Sequence, residues 1–549
     1  MIRFKYIFFS LLLVSMSIGC NKKLDMNPLD KISDASFWKK PDDFKLFAND
    51  FYNGLAQVPV YTDNNSDIAF GGGPNSVSNG SYIAAANSPV WDDSYKWIRA
   101  TNYLLQKAGE STLGDELNRW VGEAEFFRAY HYWNLVKNFG GVPKIDKVLD
   151  VTSPELFSPR LSQAEIIDFI ISDLESAITK LPKQSQLTGD ETGRVTQGAA
   201  QALEARVALY QGTWAKYHSE GDAGKYLQTA ITAAENIISS AEYALYTDKG
   251  DSSYKHLFIL SGDDSKEQIL ARRYYANRAT HNWTRELWFN YMVPTKTMAD
   301  LYLAKDGLPI SKSGLFQGYN SLTSEFKNRD PRMSMTFIEP GTSIFFEGGI
   351  WQPTFPGFNG SNATRTGYMI RKFLDQTIDA TQFRGEYDFK EFRYAETLLI
   401  LAEALYEKNG SISDADLNRT INLIRARVNM PALTNAFVTA NALDMLTEIR
   451  RERTVELAFE GFRREDLRRW KIAETVLPQA IKGVKFVGTE YQAKYPDLVP
   501  GVDIQVDGNG FIVAEPAASR QFLPKHYLDP IPLQQIQLSN GTLTQNPGW

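Results

Sequence analysis

The chain has 549 residues, a formal net charge of −6 and 43% hydrophobic residues, a globular composition with length for several domains. Mild acidity argues against nucleic-acid binding, which needs a basic face. A single cysteine excludes an internal disulfide or a multi-thiolate zinc site.

That cysteine, Cys20, lies where an apolar run gives way to polar chain. Arg3 and Lys5 precede the run from Ile7 to Ile18, which is too short to span a bilayer, and Ser17 and Gly19 put small residues at −3 and −1. The pattern resembles the signal and lipobox of bacterial lipoproteins, with Ser17 where such boxes usually carry Leu. Residues 1–19 then form a signal peptide and Cys20 the acylated mature N-terminus; an ordinary signal peptide with an incidental cysteine is the alternative. No other apolar run approaches the ~20 residues of a membrane helix. The expected mature protein is a globular body tethered by acyl chains, which together anchor stably.

Residues 20–35 carry Pro28 and no sustained period, and read as an extended tether. Helical spacing then begins: Phe44, Phe47, Phe51 and Leu55 share one face, with Asp42 and Asp43 where the helix dipole favours them. Residues 61–89, rich in Gly, Asn and Ser, form a long loop of the kind that is more often functional than decorative. Trp91, Tyr95, Ile98, Asn102 and Leu105 trace a second helix. Phe126, Tyr130 and Trp133 stripe a third, stopped by Gly140, Gly141 and Pro143; such a stripe is expected to pack in the core. Ser162 and Glu165 stand at capping-box spacing before the next, and another helix pair ends near residue 240. From 241 to 385 shorter apolar clusters broken by Gly, Pro and Asn suit irregular chain and short strands. Helices then return, and Asp507 to Gly510 marks a hairpin turn whose carboxylates do not fit a calcium loop. Ala124, Arg128 and Tyr132, then Ala202, Arg206 and Tyr210, repeat small and aromatic residues at fixed spacing. The repetition suggests tetratricopeptide-like helix pairs without a tidy solenoid. The predicted fold class is mainly α, these pairs being packed with an irregular C-terminal half.

Residues 448–470 hold seven Arg against six acids. Arg453 is three from Glu456, and Glu460 is three and four from Arg463 and Arg464, which predicts a salt-bridged helix face. Signatures of serine hydrolases, zinc proteases and nucleotide-binding loops are missing, and the five histidines are scattered without metal-ligand spacing. No metal ion or cofactor is expected. A glycosidase needs only two suitably spaced carboxylates, so 65 acids leave that enzymatic reading open.

Binding has more support. A pyranose presents an apolar C–H face to flat aromatic rings and hydroxyls to amides, carboxylates or Arg. Three segments offer such groups: Trp283, Arg285, Trp288 and Tyr291; Trp351 and Phe355 on a Gly/Pro-rich loop; and the long loop near Asn64, with Asn65 and Asp67.

Stretches such as "NPLDKISDASFW", "GEAEFFRAYHYWNLVKNFGGVP", "GRVTQGAAQALEARVALYQGTW", "FRYAETLLILAEAL", "RRERTVELAFEGFRREDLRRW" and "QNPGW" carry a further likeness. In number and order they resemble the SusD/RagB family of outer-membrane lipoproteins of the Bacteroidetes, from Cys20 to Trp549. The resemblance implies a SusD-like N-terminal part over 36–240 and a RagB/SusD C-terminal part over 241–549, packed as one unit. It also implies a non-catalytic, surface-exposed nutrient binder, lipid-anchored in the outer membrane, that delivers oligosaccharide to a SusC-like TonB-dependent transporter. One branch of the family handles peptides, so a peptide ligand is the nearest alternative and a glycoside hydrolase a more distant one.

Overall fold

The computed structural model describes residue 34 and residues 37–58, 60–346, 349–351, 364–376 and 384–549. Cys20 and Phe355 lie outside these residues.

Pro41 at the first position and two acids in the first turn open α1 (Pro41–Ala48), which tightens into a 3-10 turn over Asn49–Gly54. This turn keeps Phe44, Phe51 and Leu55 in the core despite the change of helix type. Five long helices follow: α2 (Pro89–Glu110), α3 (Asn118–Phe139), α4 (Gln163–Lys180), α5 (Gln197–His218) and α6 (Ala223–Ser239), each packed on the next. The capping box forms as expected: the Ser162 N–H donates to Glu165 Oε2 (2.8 Å) and the Glu165 N–H to Ser162 Oγ (3.3 Å). Phe126, Tyr130 and Trp133 are buried. Helix α5 is buried almost all round, so it reads as a central rather than a surface helix. Gly198 permits its contact with the following chain, since a Cβ there would lie 2.2 Å from the Tyr243 hydroxyl.

The second half is built from short pieces. Strands β1 (Ala69–Phe70), β2 (Gln268–Arg272), β3 (Val293–Pro294), β4 (Ile344–Phe346), β5 (Gly349–Trp351), β6 (Phe389–Arg393), β7 (Ile481–Lys485) and β8 (Phe511–Glu515) make two-stranded antiparallel sheets. Among the described residues the pairings are β1–β3, β2–β6, β4–β5 and β7–β8. A one-and-a-half-turn helix, α7 (Trp283–Trp288), precedes β3. Helix α8 (Tyr394–Asn409) leaves β6 directly and packs on α6, which joins the halves. Then come α9 (Ile421–Arg427), α10 (Met445–Glu456) and α11 (Arg463–Arg469). The predicted turn is present: the Gly510 N–H donates to the Asp507 carbonyl at 2.9 Å, and Val506 bridges Ile512. The architecture is mainly α, with tetratricopeptide-like helix pairs.

The arginine-rich stretch departs from expectation. It is two helices, broken where Phe459 and Gly461 adopt left-handed backbone (φ +64° and +91°). The break turns the charges inward and none of the three expected local pairs forms. Glu460 binds Arg393 and Lys372, Arg453 binds Asp466, Arg463 binds Asp67 and Arg464 binds Asp529. At the centre, Glu456 accepts from Arg332 and Arg393, and Arg393 also reaches Glu267 (2.9 Å). Three guanidiniums (Arg393, Arg427 and Arg332) hold the Glu456 carboxyl far below its ordinary range despite burial. Spacing along one helix does not reveal whether its charges face water or the core.

Candidate functional site

The long loop meets the segment around α7. β1 in the loop pairs with β3, with Ala69 opposite Pro294 and Phe70 opposite Val293. Asn64 Nδ2 donates to the Tyr291 carbonyl at 3.1 Å, and the Tyr61 hydroxyl donates to Glu286 Oε2 at 2.6 Å. Burial, then the hydrogen bond to Glu286, raise the Tyr61 phenol well above its usual value, so it remains a donor. Between these groups lies an open basin of about 430 Å³ lined by Tyr61, Asn64, Gly71 to Asn75, Glu286 and Tyr291, within the size range of small-molecule sites. Gly72 and Gly73 leave it open, since a Cβ on either would meet nothing within 4 Å. Tyr291 is 51% exposed and presents its ring to solvent.

The loop is stapled from beneath to α11. The Asp67 carboxylate accepts Arg463 Nε (2.8 Å) and Nη2 (3.0 Å), a bidentate pair. Asp63 accepts the N–H groups of Gly461 (2.9 Å) and Arg463 (3.1 Å). Thr295 Oγ1 donates to the Asp67 carbonyl at 2.6 Å, which ties the loop to β3 as well.

The structure sorts the sequence candidates. Tyr291 lines the basin. Trp283 is fully buried; its ring meets Tyr61 edge-on at 5.5 Å, so it supports a basin residue from below instead of offering a face to ligand. Trp288 is also buried. Arg285 is half-buried, with its guanidinium carbon 4.8 Å from the Phe289 ring centroid. Asp67 is a buried anchor, and Asn65 lines a different cavity, against α2 and α3. Trp351 ends β5, antiparallel to β4. Tyr61 and Glu286 were not singled out from sequence. They stand 225 residues apart, and no local pattern signals their contact. Both Glu286 oxygens are engaged, Oε1 by Asn282 Nδ2 at 2.8 Å.

Comparison with known proteins agrees with this architecture. A family model described as the SusD family matches residues 240–549, and one described as starch-binding associating with outer membrane matches residues 44–209. The chain is 25% identical to SusD-like protein P38 of Formosa agariphila over 511 residues, covering 85% of this chain and 92% of that one. Its fold superposes on a SusD-like carbohydrate binding protein from Bacteroides fragilis with a TM-score of 0.76 at 27% identity, covering 92% and 99% of the two chains. A second SusD-like protein from Bacteroides fragilis gives a TM-score of 0.75 at 25% identity, covering 95% and 100%. With more than half its length matched by the family model and the same helix-pair body beneath, the chain belongs to the SusD family.

Proposed function

We propose that this protein is a non-catalytic nutrient binder that captures oligosaccharide in the basin between residues 61–75 and 283–291. It would pass its cargo to a SusC-like TonB-dependent transporter while anchored in the outer membrane through acylated Cys20 and facing the exterior. The observation that carries the reading is the solvent-facing Tyr291 ring beside a Tyr61–Glu286–Asn64 polar set. An aromatic face and convergent hydrogen-bonding groups suit a sugar ring. The structural relative from Bacteroides fragilis described as carbohydrate binding supports the ligand class. Binding without cleavage is supported by the carboxylates: among the described residues lining the basin Glu286 is the only one, and both its oxygens are taken, whereas glycosidases use two.

Calorimetry with a panel of purified oligosaccharides tests this. We expect saturable binding by at least one glycan, weakened by Tyr291→Ala by about 1–3 kcal/mol, the scale of a lost aromatic contact, with no reducing sugar released. A panel without a binder, beside clear peptide binding, would move the ligand to peptides; sugar release abolished by a single Asp or Glu substitution would make the protein a hydrolase.

A further inference from the structure

A second pair of cavities lies apart from the basin, between α2, α3, α5 and α11. The outer one, about 480 Å³, opens past Gln57 and Asp93; the inner one, about 200 Å³, reaches towards α8. Both are lined by Lys137 and Glu465, which stand where the two meet. Both side chains are partly exposed, whereas most of the fully buried charges among the described residues are paired at 2.6–3.2 Å, as with Arg393 and Arg469. Lys137 makes no hydrogen bond or ion pair among the described residues, although it feels the Glu465 charge. Glu465 Oε2 is buried without a partner. Two further groups face the same space: His131, 2% exposed, with Nε2 unpartnered on the outer cavity, and Tyr210, 3% exposed, with its hydroxyl unpartnered on the inner one. Gly54 makes room beside the imidazole, since a Cβ there would lie 2.8 Å from Cε1 and Nε2. Burial holds His131 neutral, with its pKa down to about 3, and pushes the Lys137 ammonium below its ordinary value.

An unpaired cation, an unpaired anion and two unpartnered hydrogen-bonding atoms around one space are costly unless something fills it. A neutral sugar would leave the two charges without counter-charges, and a simple ion would satisfy only one. Apart from Lys137 and Glu465, the charged side chains lining the inner cavity already have ion-pair partners, as with Arg206–Glu391 and Arg453–Asp466, which leaves Trp133, Leu209, Ile400 and Phe462 as its apolar surface. The geometry points to a binding site for a free α-amino acid with an apolar side chain. Its carboxylate lies on Lys137 Nζ, its ammonium on Glu465, and its side chain in the inner cavity. The assignment is independent of the glycan reading, because none of the residues lining the basin lines these cavities.

The test uses the intact mature protein, with thermal-shift screening of the standard amino acids followed by calorimetry on any that bind. An apolar amino acid should bind saturably. Its N-acetyl derivative, which lacks the ammonium, and its amide, which lacks the carboxylate, should each bind about tenfold more weakly or worse. Lys137→Met and Glu465→Gln should show the same loss and leave oligosaccharide affinity unchanged. No binding up to about 10 mM would mean that water alone fills the chamber and would overturn the assignment. Derivatives that bind as well as the parent would overturn it without reference to any variant. Oligosaccharide displacing the amino acid would make the chamber part of the glycan site and would equally sink it.

Discussion

Replacing Asp67 by Ala removes both hydrogen bonds that hold Arg463 and leaves its guanidinium with Thr454 Oγ1 at 3.0 Å as its remaining side-chain partner. The two side chains are only 6% and 10% exposed, so water does little to compensate the stranded cation. Breaking a buried pair from one side costs about 3–5 kcal/mol. Unfolding entropy of about 2.1 cal/mol/K per residue, over a chain of this length, gives roughly 1.1 kcal/mol per degree, so the midpoint should fall by about 3–4 °C. Scanning calorimetry measures this directly. A double variant, Asp67→Leu with Arg463→Met, should recover most of the loss, because well-packed apolar groups replace buried pairs at little cost. Oligosaccharide affinity should fall in Asp67→Ala beyond what the stability change explains, since the loop carrying Tyr61 and Asn64 loses its staple. A midpoint within about 1 °C of the parent protein, with binding intact, would refute the claim that this pair holds the basin in place.

Two further outcomes follow from the buried charges. Desolvation lowers His131 to about 3 and His281 to about 4, against 6.5 for the free side chain. Below pH 6.5 the unfolded chain therefore takes up protons that the native one refuses. Stability complete above pH 6.5 is lost as pH falls towards 4, at about 2 kcal/mol per histidine by pH 5. Denaturant midpoints at pH 7.5 and 5.0 should show it, and His131→Gln should remove about half of this part of the difference. Glu456→Gln withdraws the charge shared by Arg332, Arg393 and Arg427. It should cost at least about 3–5 kcal/mol, read as a lower urea midpoint; an unchanged midpoint would contradict the central role given to that carboxylate.

The long helices of the first half were legible in sequence because their apolar residues recur at helical spacing, although α3 and α5 bury nearly their whole circumference. The Phe126–Tyr130–Trp133 stripe and the Ser162–Glu165 box are local patterns, and both formed as read. The second half was harder for a physical reason. Helix α7 has six residues, too few for a stripe to declare its buried side, and tertiary contacts with Tyr61 and Phe373 decide that Trp283 goes inside. The arginines of α10 and α11 showed the correct charge balance, but several of their partners lie far off in sequence; Asp67 is 396 residues from Arg463. Gly461 was a visible sign of the break between the two helices. Within the long loop, Asp67 serves as the nail while Asn64 and Tyr61 meet the open space.

Because residues 61–70 are fixed at Asp63 and Asp67 below, at Asn64 and Tyr61 on the flank and by the β1–β3 pairing, this wall of the basin does not have to form around an arriving molecule. Little chain freedom is then surrendered on capture, and no gate has to reopen on departure. Residence time is set by the few surface contacts alone. If the basin takes oligosaccharide as proposed, it would load at the pace of encounter and let go quickly, a temperament suited to relaying cargo instead of storing it.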